Sequence, residues 1–259
     1  MRIALPLVSV ITPSFNQARF LEATIKSVLT QDYPRIEYII VDGGSTDGSV
    51  DIIKKHASRL TRWISEKDSG QTEAINKGFE MANGDILAWL NSDDVYHPGA
   101  VGKAATFLYE HPSVGMVYSN ADYIDEAGRV IGKFPAAQTD YRRLRRGSVH
   151  IPQQTAFFRS QLWRDVGPLD PTFYFAMDYD LWTRISAKSE IRFLSEQTWA
   201  SFRIHGGGKT TFADDRCWPE MLRVHYRDGG GLFSVLVARY AMRRMVGKYF
   251  GWRRRLRQP

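Results

Sequence analysis

Apolar stretches without alternation recur along the first hundred residues, and each is followed by a segment with helical spacing. Residues 8–12, 38–41 and 85–90 are the clearest apolar stretches, and 62–65 is a weaker one. Residues 20–29 and 70–83 place apolar side chains three and four positions apart. Apolar strands that alternate with helices are typical of a parallel sheet covered on both faces. The pattern predicts an α/β fold with a Rossmann-like, doubly wound, mostly parallel sheet.

The rest of the chain predicts a more varied set of elements. Residues 100–109 and 177–187 have helical patterns, and 123–133 resembles a hairpin around a turn at 126–128. Strands are predicted at 115–119, 155–159, 191–194 and 199–204, whereas the basic stretch 134–151 is irregular. Neither an internal repeat nor a low-complexity linker interrupts the sequence. One domain with a variable second half is therefore expected.

Polar side chains with clustered oxygens follow three of the predicted strands. They are Thr12, Pro13, Ser14 and Asn16 after the first, Asp42 after the second, and Asn91, Asp93 and Asp94 after the third. Open α/β sheets bind their ligands at this edge, beyond the carboxyl ends of the strands. Clustered oxygens suit Mg²⁺ or Mn²⁺ held together with a substrate phosphate. The alternative is a set of ordinary turns, since Asn, Ser and Asp also bond their own backbone.

Composition and charge narrow the class of protein. The 259 residues are 43% hydrophobic and 24% charged, as in an ordinary globular protein. A net charge of +7 indicates an anionic partner such as a nucleoside diphosphate, a phospholipid or nucleic acid. The one cysteine, Cys217, excludes a disulfide framework and predicts a reducing, cytoplasmic compartment. The apolar start of the chain lacks a cleavage site and is predicted to be a buried first strand.

Six motifs in order resemble those of the inverting family 2 glycosyltransferases, which have the GT-A fold. They are TPSFNQ at 12–17, VDGGSTDGS at 41–49, DSGQTEAINKG at 68–78, GDILAWLNSDD at 84–94, PQQTAFFR at 152–159 and AMDYDLW at 176–182. The resemblance covers residues 8–211. It implies a catalytic domain at 1–211, with a nucleotide-sugar half at 1–99 and a smaller acceptor half at 100–211. Residues 212–259 would then form a helical, basic extension.

The resemblance also implies roles at the nucleotide sugar, for which a UDP-linked donor is the more usual in this family. Asp42 and Asp68 would hold the nucleotide, and Asp93 would lie near the ribose. Asp94 would be the principal ligand of Mn²⁺ or Mg²⁺, because Asn91 offers only an amide oxygen where many relatives have the first Asp of a DxD motif. The residues expected at the nucleotide sugar are Thr12, Pro13, Ser14, Asn16, Asp42, Asp68, Gln71, Asn76, Asn91, Asp93 and Lys209.

Inverting transfer needs one base that takes the proton of the acceptor hydroxyl. Asp178 and Asp180 compete for this role, and Asp180 has an alternative as an ion pair with Arg184 four residues later. The family pattern and its position in the first helical turn favour Asp178. Gln153, Gln154, Asp180 and Trp182 are expected near the acceptor or donor sugar, with a core position as the alternative for Trp182. His205 resembles the His of the family's RIHxxxKT segment, which approaches the metal; a surface or core position is its alternative.

The last part of the chain combines apolar and basic residues without any acidic residue after Gly231. One interpretation is an amphipathic helix on an anionic membrane, at the inner face of the plasma membrane, which would suit a glycan or lipid-linked acceptor. The other is a helix packed on the catalytic domain. The leading hypothesis is a metal-dependent glycosyltransferase of surface polysaccharide synthesis. Its alternatives are an inactive nucleotide-sugar-binding protein and a nucleic-acid-binding protein, although no basic face for nucleic acid is evident.

Overall fold

A computed structural model of the chain describes residues 5–209 and 217–255, with side chains described up to residue 245. The predicted domain boundary at residue 211 lies outside the described residues. Nine strands of the described part form one sheet. They are β1 (Val8–Ser14), β2 (Ile36–Asp42), β3 (Arg62–Ser65), β4 (Ile86–Trp89), β5 (Val95–Tyr96), β6 (Val114–Ile124), β7 (Val130–Lys133), β8 (Phe157–Arg159) and β9 (Glu190–Arg203).

The strand order places the predicted ligand-binding strands side by side. The order is β3-β2-β1-β4-β8-β6-β9-β5, with β7 paired to β6. The strands from β3 to β4 are parallel, and Ser14 at the end of β1 lies opposite Asp42 at the end of β2. β8 runs antiparallel to both β4 and β6, while β6 and β9 are parallel. The α/β fold with a mostly parallel sheet is confirmed, and the three strand ends meet as expected.

Nine helices accompany the sheet within the described residues. They are α1 (Ala18–Leu29), α2 (Ser49–His56), α3 (Gln71–Met81), α4 (Ala100–Glu110), α5 (Tyr141–Leu144), α6 (Ser160–Val166), α7 (Met177–Ser186), α8 (Cys217–Arg227) and α9 (Val235–Arg255). Two clusters of buried apolar side chains lie around the sheet: Trp89, Phe158 and Trp182 belong to one, and Val10, Leu21 and Trp199 to the other. Apolar side chains at successive strand positions, such as Val10 and Ile11, point to opposite faces of the sheet and thus enter different clusters.

The second half differs from the predicted elements in three ways. The separate strands predicted at 191–194 and 199–204 are one strand, β9, and the strand predicted at 115–119 extends into the hairpin as β6. Two short helices, α5 and α6, were not predicted there, and neither was the short strand β5 just before it. α5 begins where the side chain of Asp140 accepts a hydrogen bond from the backbone of Arg143. Such short elements depend on tertiary pairing, which periodicity over one or two turns does not reveal.

The carboxyl-terminal helices are partly packed on the sheet domain. Leu236 of α9 is buried and lies against Gly147, and Trp218 of α8 is 6.2 Å from the ring of Tyr240. Other apolar side chains of this region are exposed: Leu232, Phe233, Val235, Met242 and Met245. Within the described residues, no helix combines the length and the apolar composition needed to span a bilayer.

Candidate active site

A cavity of about 630 Å³ opens at the carboxyl ends of β1, β2 and β4. The residues expected at the site that line it are Pro13, Ser14, Asp68, Gln71, Asn91, Asp93, Gln153, Gln154, Asp178 and Lys209. They come from both halves of the sequence, so the fold gathers the predicted donor and acceptor residues around one space. The hydroxyl of Ser14 is buried there without a hydrogen-bond partner among the described residues, which is typical of a group that meets a ligand.

Asp94 lies beneath the cavity rather than in its lining. Its side chain is fully buried and accepts hydrogen bonds from the backbone of Arg203 at 2.9 Å, from Gln154 at 2.9 Å and from Asn91 at 3.2 Å. Burial, followed by the charge of Asp93, raises the pKa of Asp94 well above its usual range, whereas these N–H groups act to lower it. Both carboxylate oxygens accept hydrogen bonds and the side chain does not line the cavity, which favours a structural role for Asp94 over that of principal metal ligand.

Asp93 is the carboxylate of this corner that faces the cavity. Its Oδ2 lies 2.9 Å from Nε2 of His205, which follows β9. The ring of His205 also packs on Phe20 of α1, with the ring centroids 4.7 Å apart. A carboxylate and an imidazole from distant parts of the chain are thus held together at the end of β4.

A chain of amide side chains crosses the cavity floor. Lys209 donates to Oε1 of Gln71 at 3.0 Å, and Gln71 donates to Oδ1 of Asn91 at 2.7 Å. Asn91 donates in turn to Gln153 at 3.1 Å, and Gln153 donates to the carbonyl of Trp89 at 2.7 Å. The oxygen of Asn91, expected as a supporting metal ligand, therefore already accepts a hydrogen bond. The network ties the start of α3 to the end of β4.

Asp68 reaches the end of β2 because the neighbouring position is glycine. A Cβ built on Gly43 would lie 2.9 Å from both carboxylate oxygens of Asp68. Partial burial raises the pKa of Asp68, the N–H of Gly70 acting in the other direction. Asp42, by contrast, is fully buried and does not line the cavity. Its oxygens accept from the backbone of Gly44 and Ser45 and from the hydroxyls of Ser45 and Ser65, so the turn-cap alternative describes it.

Asp178 lines the cavity from the first turn of α7, half-buried. Burial raises the pKa of Asp178; the N–H of Tyr179, 2.7 Å from Oδ1, and the charge of Lys209 act to lower it. Burial also lowers the pKa of Lys209 to about 8, although the charges of Asp178 and Glu220 act to raise it. Asp178 and Lys209 therefore face the same cavity, the carboxyl group with a raised pKa and the ammonium group with a lowered one.

A model of the family described as Glycosyl transferase family 2 matches residues 9–167, more than half of the chain. The chain belongs to glycosyl transferase family 2. The uncharacterized glycosyltransferase Rv1514c of Mycobacterium tuberculosis is 35% identical to this family 2 member over 188 residues, 71% of each chain. A PGL/p-HBAD biosynthesis glycosyltransferase of Mycobacterium bovis is 29% identical over 263 residues, which are 98% of this chain and 100% of the relative.

Two solved structures share the fold of this family 2 glycosyltransferase. S. aureus TarS in complex with UDP-GlcNAc matches with a TM-score of 0.71 and 19% identity, over 91% of this chain and 71% of TarS. The mannosyltransferase PcManGT from Pyrobaculum calidifontis, in complex with GDP-Man and Mn²⁺, matches with a TM-score of 0.68 and 21% identity, over 92% and 70% of the two chains. The expected GT-A fold and the expectation of a glycosyltransferase are both confirmed.

Two residues expected at the sugars of this family 2 enzyme are instead structural. Asp180 is fully buried and pairs with Arg184 of its own helix at 2.8 Å and with Arg227 of α8. Trp182 is fully buried and stacks on Trp89, with ring centroids 5.2 Å apart. The structure does not support their predicted contact with a sugar, because α7 turns both side chains into the protein and away from the cavity lining. The ion pair of Asp180 with Arg184, its alternative, is confirmed.

Three further residues expected at the nucleotide sugar bond other parts of the protein rather than line the cavity. Asn76 donates to the carbonyl of Leu169 and accepts from its N–H, at 2.8 and 2.9 Å. Asn16 has a positive φ of 51° and accepts from the N–H of Thr46, as a turn residue does. Thr12 is fully buried, with its hydroxyl 3.1 Å from that of Tyr38. None of the three lines the cavity, so the structure does not support their predicted contact with the donor.

Glu220 of α8 is part of the site that the sequence did not indicate. Its carboxylate accepts hydrogen bonds from the backbone N–H groups of Tyr174, Phe175 and Ala176, at 2.8 to 3.0 Å, just before α7 begins. These N–H groups lie at the amino end of α7, where no preceding helical turn offers them an acceptor, and a carboxylate is favourable at this end of a helix. The loop it fixes places the ring of Tyr174 4.0 Å from the ammonium of Lys209. No sequence pattern links Glu220 with a loop 46 residues earlier.

Proposed function

We propose that this family 2 glycosyltransferase moves a sugar from a UDP-linked donor to an acceptor hydroxyl, with inversion and with Asp178 as the base. The observation that carries the proposal is the position of Asp178, whose carboxylate lines the same cavity as Asp68 and Asp93. A base and the candidate donor-binding side chains therefore share one space of sufficient size for a nucleotide sugar.

Inverting transfer requires that the protein position the two substrates and supply one proton acceptor. The acceptor oxygen bonds to the anomeric carbon as the bond from that carbon to the diphosphate breaks, and the hydroxyl proton passes to the carboxylate of Asp178. The raised pKa of Asp178 favours its holding that proton. Its half-buried position also limits competition from water.

The donor end of the cavity would be built around Asp68, Gln71 and Lys209. The carboxylate of Asp68 can accept an N–H of a base or a ribose hydroxyl at the end of β2, and the ammonium of Lys209 can contact a diphosphate. The hydroxyl of Ser14, which has no hydrogen-bond partner among the described residues, would bond the donor at the same end of the cavity. Support for a nucleotide-sugar donor also comes from two neighbours of the same fold, TarS bound to UDP-GlcNAc and PcManGT bound to GDP-Man.

We further propose that Asp93 and His205 hold the divalent cation, in place of Asp94 and Asn91. Among the side chains that the structure describes, no group of three or more His, Cys, Asp and Glu could hold a metal ion. The pair of Asp93 and His205 nevertheless fits a cation that takes its other ligands from diphosphate and water. The imidazole favours Mn²⁺ over Mg²⁺. The bound cation would offset the negative charge of the departing diphosphate.

The proposal is tested by measuring release of nucleoside diphosphate from a panel of UDP-sugars and GDP-mannose, after a thermal-shift screen for donors with Mn²⁺. Asp178→Asn is expected to lower transfer by about 10² to 10⁴-fold and to leave UDP affinity nearly unchanged. The matched control is Asp165→Asn, which removes the same charge from an exposed position on α6. Transfer that survives in Asp178→Asn would remove this residue from the base position.

For the acceptor we propose a glycan or lipid-linked molecule of the cell surface, reached at an anionic membrane. The Mycobacterium bovis relative, which this chain matches over the relative's whole length, is named as a PGL/p-HBAD biosynthesis glycosyltransferase. The exposed side chains of Phe233, Met242 and Met245, beside Arg243 and Arg244, suit insertion among anionic lipids. Sedimentation with anionic vesicles, but not with zwitterionic ones, is expected for the full chain and should weaken in Phe233→Ser. Equal binding to both vesicle types would contradict the membrane role.

A further inference from the structure

The cavity has an apolar wall that contains none of the residues proposed above to bind the donor or take the proton. We define the apolar wall as Phe134, Val149, Ile151 and Phe202, all of which line the cavity. Ile151 is buried, whereas the other three are half-buried, so they keep surface toward the cavity. The cavity's charged lining residues are Lys67, Asp68, Asp93, Asp178, Arg203 and Lys209. None of them belongs to the stretch from Phe134 to Ile151 that supplies most of the wall.

The apolar wall is built on paired backbone. Phe202 lies opposite Tyr123 in the pairing of β9 with β6. The N–H of Phe134 continues the pairing of β7 with β6 by donating to the carbonyl of Ala121 at 2.9 Å. The ring of Tyr123 therefore contacts both phenylalanines, with ring centroids 5.9 Å from Phe134 and 5.8 Å from Phe202. Such a wall exists before any ligand binds.

The other two members are fixed to the same framework. The N–H of Ala137 donates to the carbonyl of His150 at 3.2 Å, which joins the segment after Phe134 to the one that carries Val149 and Ile151. Ile151 is followed after one residue by Gln153, which bonds Asn91 at the end of β4. The apolar wall thus begins where the amide network ends.

The apolar wall also adjoins the base. The hydroxyl of Tyr179, next to Asp178, donates to the carbonyl of Leu144 at 2.6 Å, so the helix that carries the base is tied to the stretch that supplies the wall. Met177, on the other side of Asp178, lines the cavity and belongs to the same apolar cluster as Ile151. The arginines at 142, 143, 145 and 146, which lie in this stretch, do not line the cavity.

We propose that the acceptor carries an apolar group, an aryl ring or an alkyl chain, close to the hydroxyl that is glycosylated, and that this group binds the apolar wall. The inference rests on the proposed function, since it takes Asp178 as the base. Sugar hydroxyls need polar partners, which this wall does not offer, whereas an apolar group gains by leaving water. The apolar wall then selects acceptors by what is attached beside the hydroxyl.

The experiment compares methyl, octyl and p-nitrophenyl glycosides of the same monosaccharides as acceptors, with the full chain, Mn²⁺ and the donor found in the screen. Their binding to the UDP-loaded protein is measured in parallel by saturation-transfer NMR and calorimetry. The octyl or the p-nitrophenyl glycoside is expected to bind at least about tenfold more tightly than the methyl glycoside. The better of the two identifies the apolar group as an alkyl chain or an aryl ring.

Phe134→Ser and Val149→Ser are expected to abolish this preference while UDP affinity is retained, which also shows that the variants are folded. The control is Ile131→Ser, which removes an exposed apolar side chain from β7, outside the cavity. Equal binding of the three glycosides by a protein that binds UDP would overturn this inference alone. A protein that binds no nucleotide would refute the proposed function, and the inference with it.

Discussion

Two single substitutions, Asp94→Asn and Asp93→Asn, test whether Asp94 is a structural carboxylate and Asp93 a ligand-binding one. In Asp94→Asn one carboxylate oxygen becomes an NH₂ group, which cannot accept a hydrogen bond. At least one of the N–H groups of Arg203, Gln154 and Asn91 then loses its acceptor. A buried donor without a partner costs about 1–3 kcal/mol. Because burial raises the pKa of Asp94, removing its charge offsets part of this loss.

The expected net loss of about 1–2 kcal/mol corresponds to a fall in Tm of roughly 2–8 °C for a chain of this length. Asp93→Asn should lower Tm far less, since Asp93 faces the cavity and the amide oxygen of an asparagine can still accept a hydrogen bond from His205. Asp93→Asn should instead remove the effect of Mn²⁺ on UDP affinity. Mn²⁺ is expected to tighten UDP binding in Asp94→Asn but not in Asp93→Asn.

Differential scanning fluorimetry gives both Tm values, and calorimetry with UDP in Mn²⁺ or in EDTA gives the metal effect. The reasoning is refuted if Asp94→Asn keeps the Tm of the native protein and loses the metal effect while Asp93→Asn retains it. That result would return the principal ligand to Asp94.

Three further changes test the donor end and the core. Since burial lowers the pKa of Lys209 to about 8, UDP affinity should fall by up to about tenfold per pH unit above that pH, and Lys209→Arg should remove the slope in calorimetry. Gly43→Ala, whose Cβ would lie 2.9 Å from the Asp68 oxygens, should weaken UDP binding by roughly tenfold. Gly78→Ala would place a Cβ 2.4 Å from the side chain of Ile11 and should lower the free energy of unfolding, measured in urea, by about 1–3 kcal/mol. Gly102→Ala is the control for both glycine variants, because no neighbouring atom would lie closer than 3.6 Å to its Cβ.

The parts of the fold that follow from local pattern were predictable from the sequence. The buried strands β1, β2 and β4 are apolar throughout, and their polar ends meet because parallel neighbours end at the same edge. Asp178 was placed by its helical position together with the family motif, and it lines the cavity. Signals of this kind extend over one element and need no knowledge of distant contacts.

Side-chain direction at the site depends on distant partners and could not be read in the same way. Asp93 and Asp94 are adjacent in sequence, and the partner that holds Asp94 inward, the backbone of Arg203, is 109 residues away. The sequence likewise placed Asn76 at the donor, whereas a loop 93 residues later uses both ends of its amide. Short polar motifs therefore locate the corner, whereas the direction of each side chain within it depends on partners that lie outside the motifs.

The amide at position 91 is explained by this arrangement better than by metal binding. The Nδ2 of Asn91 donates to Asp94 at 3.2 Å and to Gln153 at 3.1 Å, so it faces two acceptor oxygens at once. A carboxylate there would direct an oxygen at both and would add a charge beside Asp94, whose pKa burial and Asp93 already raise. An amide satisfies both acceptors without charge and still accepts from Gln71. The corner can hold one buried carboxylate beneath a second that faces the cavity because the third position is neutral, and under the proposed function this leaves Asp93 for the donor.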